Sequence, residues 1–97
     1  MSTGKYKLNG HIPVECNNVL EWAQWYENAD RKVAKTVVSN EVAVSTVFLG
    51  LDYCFGDGPP LLFETMVFGG PHDQEMERYS TWDEAEKGHA LWVEKVR

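Results

Sequence analysis

Long apolar runs are missing from this 97-residue chain. No stretch approaches the ~18–20 residues a membrane-spanning helix needs. The opening MSTGKYKLNG also lacks the apolar core of a secretory leader. Both absences lead to the expectation of a cytoplasmic protein without a membrane partner. Cysteine is scarce. Cys16 and Cys54 lie far apart and form no CxxC, which excludes a disulfide framework and leads us to expect reduced thiols. The three histidines, His11, His72 and His89, show no HxxxH spacing, so no metal site is expected. Positive charge is short as well: nine Lys and Arg stand against fifteen Asp and Glu, for a net −6. A phosphate backbone repels such a surface, so direct nucleic-acid binding is not expected. No GxGxxG, no Walker-type GKS or GKT, no internal repeat and no low-complexity segment occurs.

Aromatic residues are plentiful instead. The chain holds four Trp, four Tyr and four Phe, which suits a core and also a binding surface. A domain of this length buries about 60–70% of its unfolded surface, so residues 1–97 read as one domain, with 1–4 expected to be loose. Charge is uneven along it. Residues 1–40 carry five bases and four acids; residues 41–97 carry four bases and eleven acids. The acidic C-terminal part is either solubilising or complementary to a basic partner.

Periodicity gives the elements. Two short extended pieces flank Asn9-Gly10, a turn dipeptide. A helix follows, with Asn18 and Glu21 in capping positions and Val19, Trp22, Ala23, Tyr26 and Ala29 on one stripe. Trp25 falls on the edge of that stripe and Leu20 off it. β-Branched runs predict strands at about 33–39 and 42–51, the second apolar on both parities and so expected to be covered on both faces. A third strand is expected at about 61–68, interrupted only by Glu64, and EMERYS predicts a short edge strand. A last helix opens on Ser80 or Thr81, with Trp82, Ala85, His89, Trp92, Val93 and Val96 in one stripe and Leu91 opposite. The order β-α-β-β-β-(β)-α predicts an α+β domain: an antiparallel sheet of three to five strands packed with two helices.

Few residues stand out as chemistry. The connector from Asp52 to Pro60 is longer than the two to five residues of most hairpin loops. Its glycines and prolines have a structural explanation. Asp52, Tyr53, Phe55 and Asp57 do not, and they are the first candidates for ligand contact. Cys54 with His72 or His89 fits no nucleophile–base pattern, so no catalytic residues, no enzyme activity and no cofactor are expected. His89 inside an apolar stripe and Glu64 inside an apolar strand are read as partners, either as a buried pair or as the lining of a polar pocket. Trp25 and Tyr53 are the aromatics placed best for stacking.

The run VSTVFLGLDYCFGDGPPLLFETMVFGG with ERYSTWDEAEKGH resembles a group of small accessory proteins of bacteriophages and prophages. In that group a TVFLGLD strand, an F-G-x-G-P-P-L loop, a FETMVF strand and an ERYST-x-x-EA-x-x-GH segment recur in this order. The likeness spans about residues 44–89. It implies a non-enzymatic host-takeover or counter-defence role in the cytoplasm of an infected bacterium. Matching positions with site potential are Asp52, Phe55, Glu64, Arg78, Tyr79 and His89. The first expectation is a homo-oligomeric sponge that holds a nucleotide-derived immune signal near the 52–60 loop, using Arg78 and Tyr79 as well. The alternative is an anti-CRISPR-like inhibitor that contacts a host defence protein through its acidic surface.

Overall fold

The computed structural model describes residues 4–97; residues 1–3 of the expected loose start lie outside the described residues. The elements are β1 (Tyr6–Asn9), β2 (Ile12–Glu15), α1 (Val19–Asn28), β3 (Lys32–Val37), β4 (Ala43–Phe48), β5 (Phe63–Phe68), β6 (Met76–Tyr79) and α2 (Trp82–Val96). Strands β3-β4-β5-β6 form an antiparallel sheet in sequential order, while β1 and β2 pair separately as a hairpin. This is the expected α+β class, with the N-terminal strands in a sheet of their own.

Side-chain alternation sorts the large sheet into two faces. Val44, Thr46 and Phe48 of β4 and Phe63, Thr65 and Val67 of β5 are fully buried. Helix α2 lies across this row. Its expected stripe holds: Ala85, His89 and Trp92 are buried, Trp82, Val93 and Val96 half-buried, and Leu91 exposed. A capping box starts it. The Thr81 hydroxyl accepts from the Glu84 N–H, and the Glu84 carboxylate accepts from the Thr81 N–H.

Helix α1 joins the same inner face. Asn18 Oδ1 caps it by accepting from the Glu21 N–H at 3.0 Å. Trp25 meets Phe48 edge to face with ring centres 5.8 Å apart. Trp22 Nε1 donates to the carbonyls of Tyr6 and Gly50. Of the expected stripe, Val19 and Ala23 are exposed, because the apolar contacts of the helix are made by Trp22, Trp25 and Tyr26.

With both helices on one side, the odd row of β4 has no helix over it. Ala43, Ser45 and Val47 are half-buried. The expectation that β4 is covered on both faces is therefore corrected. It is central by its two strand neighbours, and its second parity fronts an open face.

Candidate functional site

The long β4–β5 connector has two parts. Its neck is tightly bonded. Leu49 N–H donates to Leu62 O, and Tyr53 N–H to Leu61 O. Asp52 Oδ1 accepts from Cys54 N–H at 2.7 Å and from Leu61 N–H at 3.0 Å, closing the loop across its base. The neck also seats the N-terminal hairpin: Tyr6 N–H donates to Gly50 O, Asp52 N–H to Gly4 O, and Lys5 bridges to Leu51. Residues 50–52 of the connector thus seat the start of the N-terminal hairpin, and Asp52 has the structural role that the sequence did not reveal. Beyond the neck only the tip projects. Phe55 is 94% exposed there, with exposed Gly56, Asp57 and Gly58.

The nine candidate residues fall into four places. Tyr53, Glu64 and Arg78 come together at one end of the open sheet face. Arg78 Nε donates to Glu64 Oε2 at 3.0 Å, and its guanidinium lies 4.4 Å from the centre of the Tyr53 ring. Asp52, Phe55 and Asp57 belong to the adjoining loop. Tyr79 and His89 are buried on the opposite, inner face. Trp25 sits apart, packed on Phe48 and lining a shallow groove of about 350 Å³ with Lys7, Leu8, Asn9 and Val14.

Glu64 and His89 therefore cannot pair or line one pocket: Glu64 stands on the open face of the sheet, bonded to Arg78, and His89 packs against the inner face. The partners of His89 are two threonine hydroxyls, with a third threonine behind them. Its Nδ1 is 2.7 Å from Thr46 Oγ1, and its Nε2 is 2.9 Å from Thr36 Oγ1. Thr46 in turn contacts Thr65 at 2.5 Å, and the Tyr79 hydroxyl donates to Thr65 at 3.1 Å. Beyond Tyr79, Glu77 Oε1 accepts from Trp92 Nε1 at 2.9 Å. Burial holds the His89 pKa below its ordinary value of 6.5. Burial also raises the Tyr79 pKa; the Thr65 contact opposes the rise, and the Glu77 charge adds to it. The run of hydroxyls is enclosed, with His89 only 6% exposed. It satisfies polar groups between sheet and helix and opens to no substrate-sized space.

Gly88 belongs to the same arrangement. A Cβ at this position would overlap the Tyr79 phenol. The glycine therefore lets the tyrosine ring lie flat against α2, which explains its presence inside a helix.

The open face was not legible as one surface in the sequence. Register aligns it in rows: Val37, Ala43 and Phe68; Lys35, Ser45, Met66 and Met76; Lys32, Val47, Glu64 and Arg78. Val37 is 69% exposed, Phe68 49% and Met76 45%. A groove of about 400 Å³ runs along one end, lined by Lys35, Val37, Ala43 and Phe68 and by the β3–β4 turn. The acids of residues 41–97, expected to form a docking surface, are dispersed: Asp83, Glu84, Glu86 and Glu94 are exposed on α2, Asp57 in the loop and Glu41 in the β3–β4 turn, while Glu64 pairs with Arg78 on the open face. Among the described residues no group of His, Cys, Asp and Glu has metal-binding geometry, and no helix is long and apolar enough to cross a membrane. Comparison with protein-family models, curated proteins and solved structures finds no match.

Proposed function

We propose that this is a non-enzymatic binding protein that engages a partner protein through the open face of its β3–β6 sheet. One observation carries the reading: α1 and α2 both pack on the inner face, leaving Val37, Phe68 and Met76 exposed together across three strands. Flat apolar surfaces rimmed by charge suit protein contact. Lys32, Lys35 and Arg78 supply the rim here, and Phe55 projects from the loop beyond Tyr53. The resemblance to phage accessory proteins makes a host defence protein the target class, and the protein then acts by blocking that target. The alternative of direct protein contact is thus preferred over the sponge, with the contact surface moved from the acidic surface of residues 41–97 to the open sheet face.

A nucleotide-derived ligand is the second reading. It rests on the Arg78 guanidinium stacked on Tyr53, an arrangement that could receive a phosphate or a base. Two features weaken it. Arg78 is already paired with Glu64, and the 52–60 loop lines none of the four grooves found along the described residues.

Affinity capture from bacterial lysate with paired surface variants tests the first reading. Phe68→Glu is expected to lose the captured protein and Leu91→Glu, on the exposed side of α2, to keep it. Retention by Phe68→Glu, or equal loss in both, would overturn the proposal. Thermal melts with cyclic dinucleotides and ADP-ribose derivatives test the second reading, which needs a concentration-dependent rise in Tm.

A further inference from the structure

Strand β3 is one edge of the large sheet; no strand lies beyond it. Antiparallel pairing alternates hydrogen-bonded and non-hydrogen-bonded residues. Val38 N–H donates to Val42 O at 2.8 Å, so Thr36 and Ala34 are the next residues bonded to β4. Lys35 and Val37 then turn their N–H and C=O groups toward the free edge. The register irregularity at Val33 brings Lys32 into the same phase, opposite Val47, but its N–H already donates to Asp30 Oδ1, so the free backbone groups are those of Lys35 and Val37. Their side chains stand on the open face, as their neighbours Ser45, Ala43 and Val47 show.

This edge has both a backbone template and a pattern of side chains. Val37 borders the 400 Å³ groove beside Ala43 and Phe68. Glu41, in the adjoining turn, is the one acid of that groove and disfavours an anion at the Val37 end. Lys35 and Lys32 follow along the strand, both exposed and neither in an ion pair. In a chain of net charge −6 two lysine side chains stand in one row here, with Asp30 at one end and Glu41 at the other.

We infer that β3 is a strand-addition site for an extended, acidic segment of the partner protein, and this inference rests on the proposed binding function. The added strand runs antiparallel to β3. It sets an apolar side chain into the Val37–Phe68 groove, then acidic side chains two and four residues later against Lys35 and Lys32. Main-chain bonds to Lys35 and Val37 supply affinity, and the alternate side chains supply specificity. A second copy of this chain is a poor occupant, because β3 against β3 brings the Lys32–Lys35 row close to its own copy and like charges across strands repel. The other edge, β6, is shorter, and its Arg78 is already neutralised by Glu64.

The probe is a synthetic blocked peptide, Thr-Val-Thr-Glu-Thr-Glu-Thr, titrated into the 15N-labelled protein. Saturable amide shifts at residues 32–38 are expected at or below about 2 mM peptide, the weak range for a short unconstrained strand. Lys35→Glu is expected to weaken binding about tenfold, since it turns a cross-strand attraction into a repulsion. The peptide with Lys in place of both Glu is expected to give no saturable shifts. Shifts confined to α2 or β6, no saturation, or undiminished binding to Lys35→Glu would overturn the inference. Loss of partner capture by Phe68→Glu without any peptide binding removes strand addition and leaves the open-face reading intact. Peptide binding at residues 32–38 with unchanged capture by Phe68→Glu does the reverse.

Discussion

Asp52 shows how one oxygen can organise a loop. Both N–H donors, from Cys54 and Leu61, converge on its Oδ1. An amide oxygen in the same place can accept both bonds. Asp52→Asn is therefore expected to unfold at nearly the native urea concentration. Asp52→Ala leaves two backbone donors without this acceptor and is expected to lose about 1–3 kcal/mol in the same measurement. Gly88 gives a prediction of opposite sign to helix propensity. Alanine is better than glycine inside a helix by about 1 kcal/mol. At this position, though, the new methyl meets the buried Tyr79 ring. Overpacking costs about 1–3 kcal/mol, so Gly88→Ala is expected to lower the urea midpoint rather than raise it.

At the scale of elements, α2 is the larger contributor to the core. It covers β4 and β5 with an apolar stripe and places His89 among Thr36, Thr46 and Thr65. No carboxylate or cation is a hydrogen-bond partner of the imidazole, so burial alone lowers its pKa from 6.5. The unfolded chain binds a proton near that pH, whereas the folded chain resists it. Below about 6.5 the unfolded state therefore holds more protons. The contribution of neutral His89 is fully present above that pH and lost as pH falls toward the lower folded value. Urea midpoints measured from pH about 7 down to about 5 are expected to decline, and His89→Gln is expected to flatten the decline by removing the titrating group. An unchanged slope would place its origin in other groups. Helix α1 contrasts with α2. It touches the rest of the protein through Trp22, Trp25 and Tyr26 alone on its stripe, so its other apolar positions, Val19 and Leu20, stay in solvent.

Over the whole molecule, the arrangement is lopsided. Two helices and the hairpin crowd one side of the β3–β6 sheet, four acids stand exposed on α2, and the opposite sheet face stays open. The exposed apolar residues of that face contribute little to folding because water already reaches them. Phe68→Glu and Met76→Lys are therefore expected to keep native far-UV circular dichroism and melt within about 2–4 °C of the parent protein, in line with surface substitutions away from caps and cores. A collapse of Tm in either variant would show that the face is part of the core, and the binding proposal would lose its basis.

Local sterics and hydrophobic period made much of this readable in advance. The 3.6-residue stripe of α2, the Asn18 and Thr81 caps, the Asn9-Gly10 turn and the apolar runs of β4 and β5 depend on neighbours a few positions away, and all appear in the fold. The sides taken by the elements depend on pairings dozens of residues apart. Glu64 and His89 each interrupt an apolar pattern, and from pattern alone they look like partners. The β4–β5–β6 register instead gives Glu64 to Arg78 on the open face, while the crossing of α2 gives His89 to Thr36 and Thr46 on the other. The same long-range choice explains the connector. Asp52 looked like part of a ligand loop because the N-terminal segment that docks on residues 50–52 lies more than forty positions upstream. Periodicity states which side chains need cover; only the packing of helices on one face decides which of them go without it.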